Sequence, residues 1–148
     1  MSDSIFAIAR SGLDVEHQRM EIIAQNIANA GTTRTATGEP YRPLRLVSGP
    51  RVGASFNDHL QAGAPSPAAG LAGVQSYGIE RVDAPARLVH DPAHPHADAK
   101  GFVAYPGIDH AGEMSLMVQT LRTYEADTVM FNAARSMYMR ALELGSRS

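Results

Sequence analysis

The chain has 148 residues, a formal net charge of −2 and no cysteine, with aromatic residues at 6% and no tryptophan. Its length sets one domain as the prior. The charge balance offers no basic footprint for nucleic acid, and the absence of cysteine excludes a disulfide framework, thiol catalysis and thiolate metal sites. No run of apolar residues approaches the length needed to cross a bilayer, so direct membrane insertion is not expected.

All nine prolines lie between Pro40 and Pro106, leaving 39 residues before and 42 after without one. Proline breaks a helix interior because it lacks the N–H and clashes with the preceding turn. The chain therefore divides into an N-terminal helix over 1–31, a middle β and loop segment over 32–111, and a C-terminal helix over 112–148. The first helix starts from Asp3 or Ser4 as cap. Its apolar stripe runs Phe6, Ala9, Leu13, Glu16, Met20, Ile23, Ile27 and Ala30, a heptad seam broken once by Glu16. Gly31 is placed to close it as the residue after the last turn, giving a rod about 40 Å long at about 1.5 Å per residue. Without a cationic start or a long apolar run, this end does not read as a cleaved signal peptide.

Across the middle, Leu44 to Val47, Val74 to Val82 and Arg87 to Val89 are the strand candidates, and Gly101 to Tyr105 is a short extended piece before Pro106 and Gly107. Residues 48–73 hold 17 Gly, Ala, Ser or Pro among 26 and read as a flexible insertion. The second helix begins behind Asp109, with Glu113 suited to the positive end of its dipole. One stripe runs Met114, Met117, Leu121, Tyr124, Thr128, Phe131, Arg135, Tyr138 and Leu142. A second runs Ala126, Met130, Ala133, Met137, Ala141 and Leu144. One partner helix cannot cover both, so the helix is expected to pack among neighbouring subunits.

The histidines His90, His94 and His96, with Asp91 and Asp98, form the one metal-like grouping, since imidazole and carboxylate suit a divalent transition ion. Two prolines interrupt them and no periodic element holds them, so a solvated loop is the favoured reading and no metal or cofactor is expected. No nucleophile elbow or phosphate loop is present. Glu125 and Asp127 stand two apart on a helix and face different ways. A catalytic role is therefore not expected, nor a small-molecule substrate. At the end of the first helix, Asn26 and Asn29 flank Ile27 and Ala28. Their amides are able to cap carbonyls or to bond a neighbouring segment, a polar latch fixing how the chain leaves the helix.

Asn26-Ile27-Ala28-Asn29 at the end of an amphipathic N-terminal helix resembles the signature of bacterial flagellar axial proteins. From Asp91-Pro92 through His94-Pro95, Ala97-Asp98-Ala99, Gly101-Phe102-Val103, Pro106-Gly107-Ile108-Asp109, Glu113-Met114, Tyr124-Glu125-Ala126 and Asn132-Ala133-Ala134-Arg135 to Ala141-Leu142-Glu143-Leu144-Gly145, the order is similar to that of proximal-rod subunits. The likeness covers about 4–47 and 74–145. It implies a structural subunit that leaves the cell through the flagellar export apparatus and folds as it polymerises with itself and other rod subunits into the periplasm-spanning rod of the basal body. The fold expected is mainly α. The long N- and C-terminal helices pack as an antiparallel coiled-coil pair, with a small, irregular β-rich middle. The expected assembly residues are Phe6, Leu13, Met20, Ile23, Asn26, Ile27, Ala28 and Asn29 on the first helix. On the second they are Met114, Met117, Leu121, Tyr124, Phe131, Met137, Tyr138 and Leu142. A soluble helical-hairpin adaptor that binds one partner helix is the alternative. A small metal-dependent enzyme built on the histidine loop is a third reading, supported by composition alone.

Overall fold

A computed structural model of the chain describes residues 2–51 and 73–145. The fold is mainly α, with a small β-rich middle. In chain order its elements are α1 (Ser2–Ala28), β1 (Leu44–Pro50), β2 (Val74–Arg81), β3 (Arg87–His90), β4 (Phe102–Tyr105) and α2 (His110–Gly145). Most of the expected insertion lies outside the described residues.

Strands β1 and β2 form one two-stranded sheet and β3 and β4 another. Val82 N donates to Pro43 O and Arg51 N to Gly73 O, both at 2.8 Å, so β1 and β2 run antiparallel. In the second sheet Arg87 stands opposite Tyr105, Leu88 opposite Ala104, Val89 opposite Val103 and His90 opposite Phe102. The Arg87 guanidinium lies 5.4 Å from the centre of the Tyr105 ring, a cation–π contact within the range where the ring quadrupole attracts. The first strand extends through Gly49 and Pro50 rather than stopping at Val47. The proline sits at its last residue, where its missing N–H removes no interior ladder bond.

The chain gathers into two compact units. One comprises Met1–His17, Ser48–Tyr77 and Leu121–Ser148, and the other Gln18–Val47 and Gly78–Thr120. Each long helix thus contributes its chain-terminal portion to the first unit and its inner portion to the second. The second unit holds Ile22, Ile23 and Val103 among the buried hydrophobic residues, the last two 1% and 0% exposed. In the first, Phe6 meets Phe131 and Tyr138 edge-on, with ring centres 5.5 and 5.9 Å apart. This geometry puts the positive ring edge against the negative face.

The ends of α1 differ from expectation. Asp3 and Ser4 lie inside the helix, which starts at Ser2. Gly31 is absent from the glycines with positive φ, so it is not the left-handed residue that closes α1. The Asn29 side chain does that work, its Nδ2 donating to Gln25 O at 2.9 Å, while Thr32 N donates to Asn29 O at 3.0 Å. A side-chain amide that satisfies a last-turn carbonyl removes the need for a left-handed glycine. The buried positions of α1 follow the heptad seam only in part: Glu16 and Ile23 on it are buried together with Ser11, Val15 and Ile22 beside it, whereas Leu13, Met20 and Ile27 are half-buried. Apolarity alone marked 13, 20 and 27, and the strand packing that buries 11 has no periodic signal.

That packing is close at one point. Gly73 has φ +82°, and a Cβ there would stand 2.3 Å from Ser11 Oγ and 3.2 Å from Ile8 Cα. The Ser11 hydroxyl donates to Ile8 O at 2.6 Å and accepts from Val74 N at 3.1 Å, tying the start of β2 to α1. Gly73→Ala is expected to lower stability by about 2–5 kcal/mol, from left-handed strain of about 1–2 kcal/mol and overpacking of about 1–3 kcal/mol. Gly31→Ala, with no heavy atom within 4 Å of its added Cβ, should match or slightly exceed the parent. Thermal unfolding followed by circular dichroism separates the two; equal midpoints for both variants would refute the close-approach argument.

Candidate functional site

Within the second unit, one polar side chain organises three segments. Asn26, 0% exposed, uses both of its polar atoms twice. Its Nδ2 donates to Leu44 O at 2.9 Å and to Glu113 Oε2 at 3.2 Å. Its Oδ1 accepts from Leu44 N at 2.8 Å and from Tyr41 OH at 3.1 Å. An asparagine amide offers two donors and a two-lone-pair acceptor, so its hydrogen-bonding capacity is filled. The pair of bonds to Leu44 copies a strand partner and holds the first residue of β1 against α1. Glu113, 4% exposed in its side chain, completes the cluster by pairing with Arg45 at 2.5 Å. A buried carboxylate is tolerable only with such partners.

Burial, and secondarily the Glu113 carboxylate, raises the Tyr41 phenol above its usual 10.0. Both effects disfavour a phenolate, since an anion is poorly solvated there and repelled by its neighbour. The sequence suggested Asn26 as a latch but not Tyr41, Arg45 or Glu113. Glu113 was read only as a dipole partner, because a contact 87 residues away leaves no local pattern.

The histidine loop is occupied by internal bonds. His96 N donates to His94 Nδ1 at 3.0 Å, Thr33 Oγ1 meets His96 Nδ1 at 2.8 Å, and His90 stacks edge-on with Phe102 at 5.1 Å. Among the described residues no group of three or more His, Asp or Glu is gathered so as to hold a metal ion. Asp98 shapes the loop instead, its Oδ1 accepting from Lys100 N and Phe102 N at 2.8 Å, with Gly101 at φ +78° between them. That turn delivers the chain into β4.

The apolar positions singled out in the sequence divide by exposure. Ile23 is buried, and Phe6, Leu13, Met20, Ile27, Met117, Tyr124 and Phe131 are half-buried. Asn29 is half-buried and Ala28 exposed. Met114, Leu121, Met137, Tyr138 and Leu142 are exposed at 50%, 43%, 65%, 39% and 52%, and so are Val129 and Met130, at 68% and 67%. Much of the apolar surface of α2 therefore has no cover within the described residues. No helix among the described residues is long and apolar enough to cross a membrane.

Two family patterns match, one at each end. Residues 6–34 match the family described as flagella basal body rod protein, and residues 99–144 match the C-terminal region of the flagellar basal body rod FlgEFG proteins. These matches fall on α1 with its closing turn and on β4 with α2, the class to which the terminal helices point. Flagellar basal-body rod protein FlgC of Borreliella burgdorferi is 35% identical over 147 residues, covering 93% of each chain. The proteins of the same name from Escherichia coli O6:H1 and Bacillus subtilis are 35% and 36% identical over 142 residues, covering 96% and 93% of this chain and 96% and 94% of theirs. The chain belongs to the FlgC family of flagellar basal-body rod proteins, a structural family rather than an enzyme family.

Two substitutions probe the cluster. Asn26→Leu keeps the branched shape but strands the Leu44 amide and carbonyl, and should cost about 2–6 kcal/mol at about 1–3 kcal/mol for each buried group left unbonded. Tyr41→Phe removes a single bond and should cost about 1 kcal/mol at pH 7. Because folding raises the Tyr41 pKa, its contribution is fully present below 10.0 and is lost as pH climbs toward the folded value. The gap between parent and Tyr41→Phe should therefore shrink above pH 10. Urea titrations at pH 7 and 11 measure it, and a gap that widens would contradict the assignment.

Proposed function

We propose that this chain is a structural subunit of the proximal rod, polymerising with itself and other rod subunits through its terminal helices into a periplasm-spanning drive shaft that carries motor torque outward. The observation that carries this reading is the uncovered apolar surface of α2 in a chain whose FlgC relatives align over nearly its whole length. Supporting it, the matched family regions are the two helical ends.

In this reading 1–31 and 112–148 form the axial core and 32–111 the outer part. The two helices pack as an antiparallel coiled-coil pair, a pairing consistent with the contact of Phe6 with Phe131 in one unit and of Asn26 with Glu113 in the other. Of the assembly residues named from the sequence, those left exposed or half-buried meet neighbours, whereas Ile23 and Asn26 act within the subunit. Export proceeds through the flagellar export apparatus without a cleaved signal, and the subunit carries out no reaction of its own. Its place is the rod of the basal body.

The test compares substitutions chosen by exposure. Leu121, 43% exposed, is available to a neighbour, whereas Ile23, 1% exposed, is already enclosed by its own subunit. Leu121→Asp should leave the isolated fold near the parent and abolish swimming, because assembly would bury an unpaired carboxylate and forfeit about 1.5–3 kcal/mol of burial per subunit. Ile23→Asp should fail earlier, by unfolding the subunit. Electron microscopy of basal bodies decides the larger claim: cells lacking this chain should have no complete rods, and intact rods in them would end the proposal. Swimming at the parental rate by a stable Leu121→Asp variant would remove α2 from the assembly face.

A further inference from the structure

The loop between β3 and β4 holds a bond that only one charge state allows. His94 Nδ1 accepts the backbone N–H of His96 at 3.0 Å. An imidazole nitrogen accepts only while it keeps a lone pair, and an imidazolium has donors alone. The His94 ring is therefore neutral in this arrangement, with its proton on Nε2. The residue so held, His96, meets Thr33 Oγ1 through its ring Nδ1 at 2.8 Å, across 63 residues of chain. Thr33 stands on the segment that leaves α1, just after the turn closed by Asn29 and Thr32. We propose that these two contacts form a pH-sensitive clasp between the exit of α1 and the β3–β4 loop, closed while His94 is neutral and opened by its protonation.

The surroundings offer an added proton little compensation. The His94 and His96 rings lie edge-on with centres 5.3 Å apart, so a charge on each would set like against like. Strand β4 presents Tyr105, its ring centre 6.3 Å from that of His94, and β3 brings the Arg87 guanidinium over the same ring at 5.4 Å. His90, also on β3, turns to Phe102. Arg34 is the charged neighbour of Thr33 along the segment after α1. Of the acids in the loop, Asp91 accepts from His94 N through its carbonyl at 3.2 Å, and Asp98 Oδ1 takes the N–H groups of Lys100 and Phe102. Neither imidazole belongs to an ion pair among the described residues. Protonation of His94 thus removes an acceptor and turns an N–H toward the N–H of His96. The open form takes up the proton without that loss. The clasp is therefore stable in neutral and alkaline solution and is lost as pH falls through the range in which histidine titrates. The backbone bonds His94 N to Asp91 O and Ala97 N to His94 O need no particular ring charge, so opening frees His96 and Thr33 without dissolving the loop.

His94→Asn separates charge from shape, because the asparagine Oδ1 takes the place of Nδ1, accepts the same N–H and does not titrate. Amide hydrogen exchange of the full chain, resolved by residue with NMR, is compared at about pH 7.5 and about pH 5. Protection factors remove the intrinsic pH dependence of exchange. In the parent, protection of the His96 N–H is expected to fall at least roughly tenfold between the two, whereas in His94→Asn it should change less than about twofold. The Thr33 resonances of the parent should shift over the same interval. The Leu44 amide, held by the non-titrating Asn26 side chain, should stay protected in both proteins. A His96 amide unprotected at the higher pH, or protected equally at both, would overturn the clasp. An equal fall in His94→Asn would overturn the role of His94. A fall of Leu44 in step with His96 would show acid acting on the whole unit and would overturn the clasp as a local device. None of these outcomes touches the rod-subunit reading, which the basal bodies decide.

Discussion

A single fully bonded asparagine holds the inner unit together. Asn26 is completely enclosed, and its four hydrogen bonds reach Leu44 twice, Tyr41 and Glu113, so that it joins α1 to the chain before β1 and to α2. Burying an amide without partners is costly, so the geometry is demanding in both directions. The helix must end where it does, β1 must start at Leu44, and α2 must begin with a carboxylate at position 113. A hydrophobic contact would tolerate sliding; this cluster does not. It explains why the turn after α1 is closed by side chains from Asn29 and Thr32 rather than by glycine, because the chain must leave the helix on the side that brings Tyr41 and Leu44 back to it.

The apolar inventory has the opposite character. Among the described residues few large side chains are fully enclosed, and the chain-terminal portion of α2 leaves methionine, valine and leucine exposed. A domain of this size normally buries such residues to offset the conformational entropy of folding. Methionine suits a surface that must adapt to neighbours, being unbranched and polarisable. The polar cluster thus sets the geometry of one unit while the apolar helix surface remains available for association, a division of labour that matches membership of a rod-protein family.

The histidine loop shows what its side chains do locally: Asp98 holds the turn into β4, the backbone N–H of His96 donates to His94, and the His96 ring meets Thr33. Ligand geometry depends on which atoms face a common point, and sequence proximity in a proline-broken loop does not supply that.

By itself the sequence determined the two terminal helices, the β-rich middle and the presence of more apolar surface than one partner helix can cover. All three follow from local rules, namely proline placement, helical spacing and the excess of stripes on α2. It also pointed to Asn26 as a latch, because an amide at a helix end has few bland uses. Only the tertiary structure decided that Ser11, Val15 and Ile22 are buried on α1 beside the seam residues Glu16 and Ile23, that Gly31 does not close the helix, and that Glu113, Arg45 and Tyr41 complete the asparagine cluster. These depend on segments brought together across as many as 87 residues of chain, where packing and the need to satisfy buried polar groups override local preference.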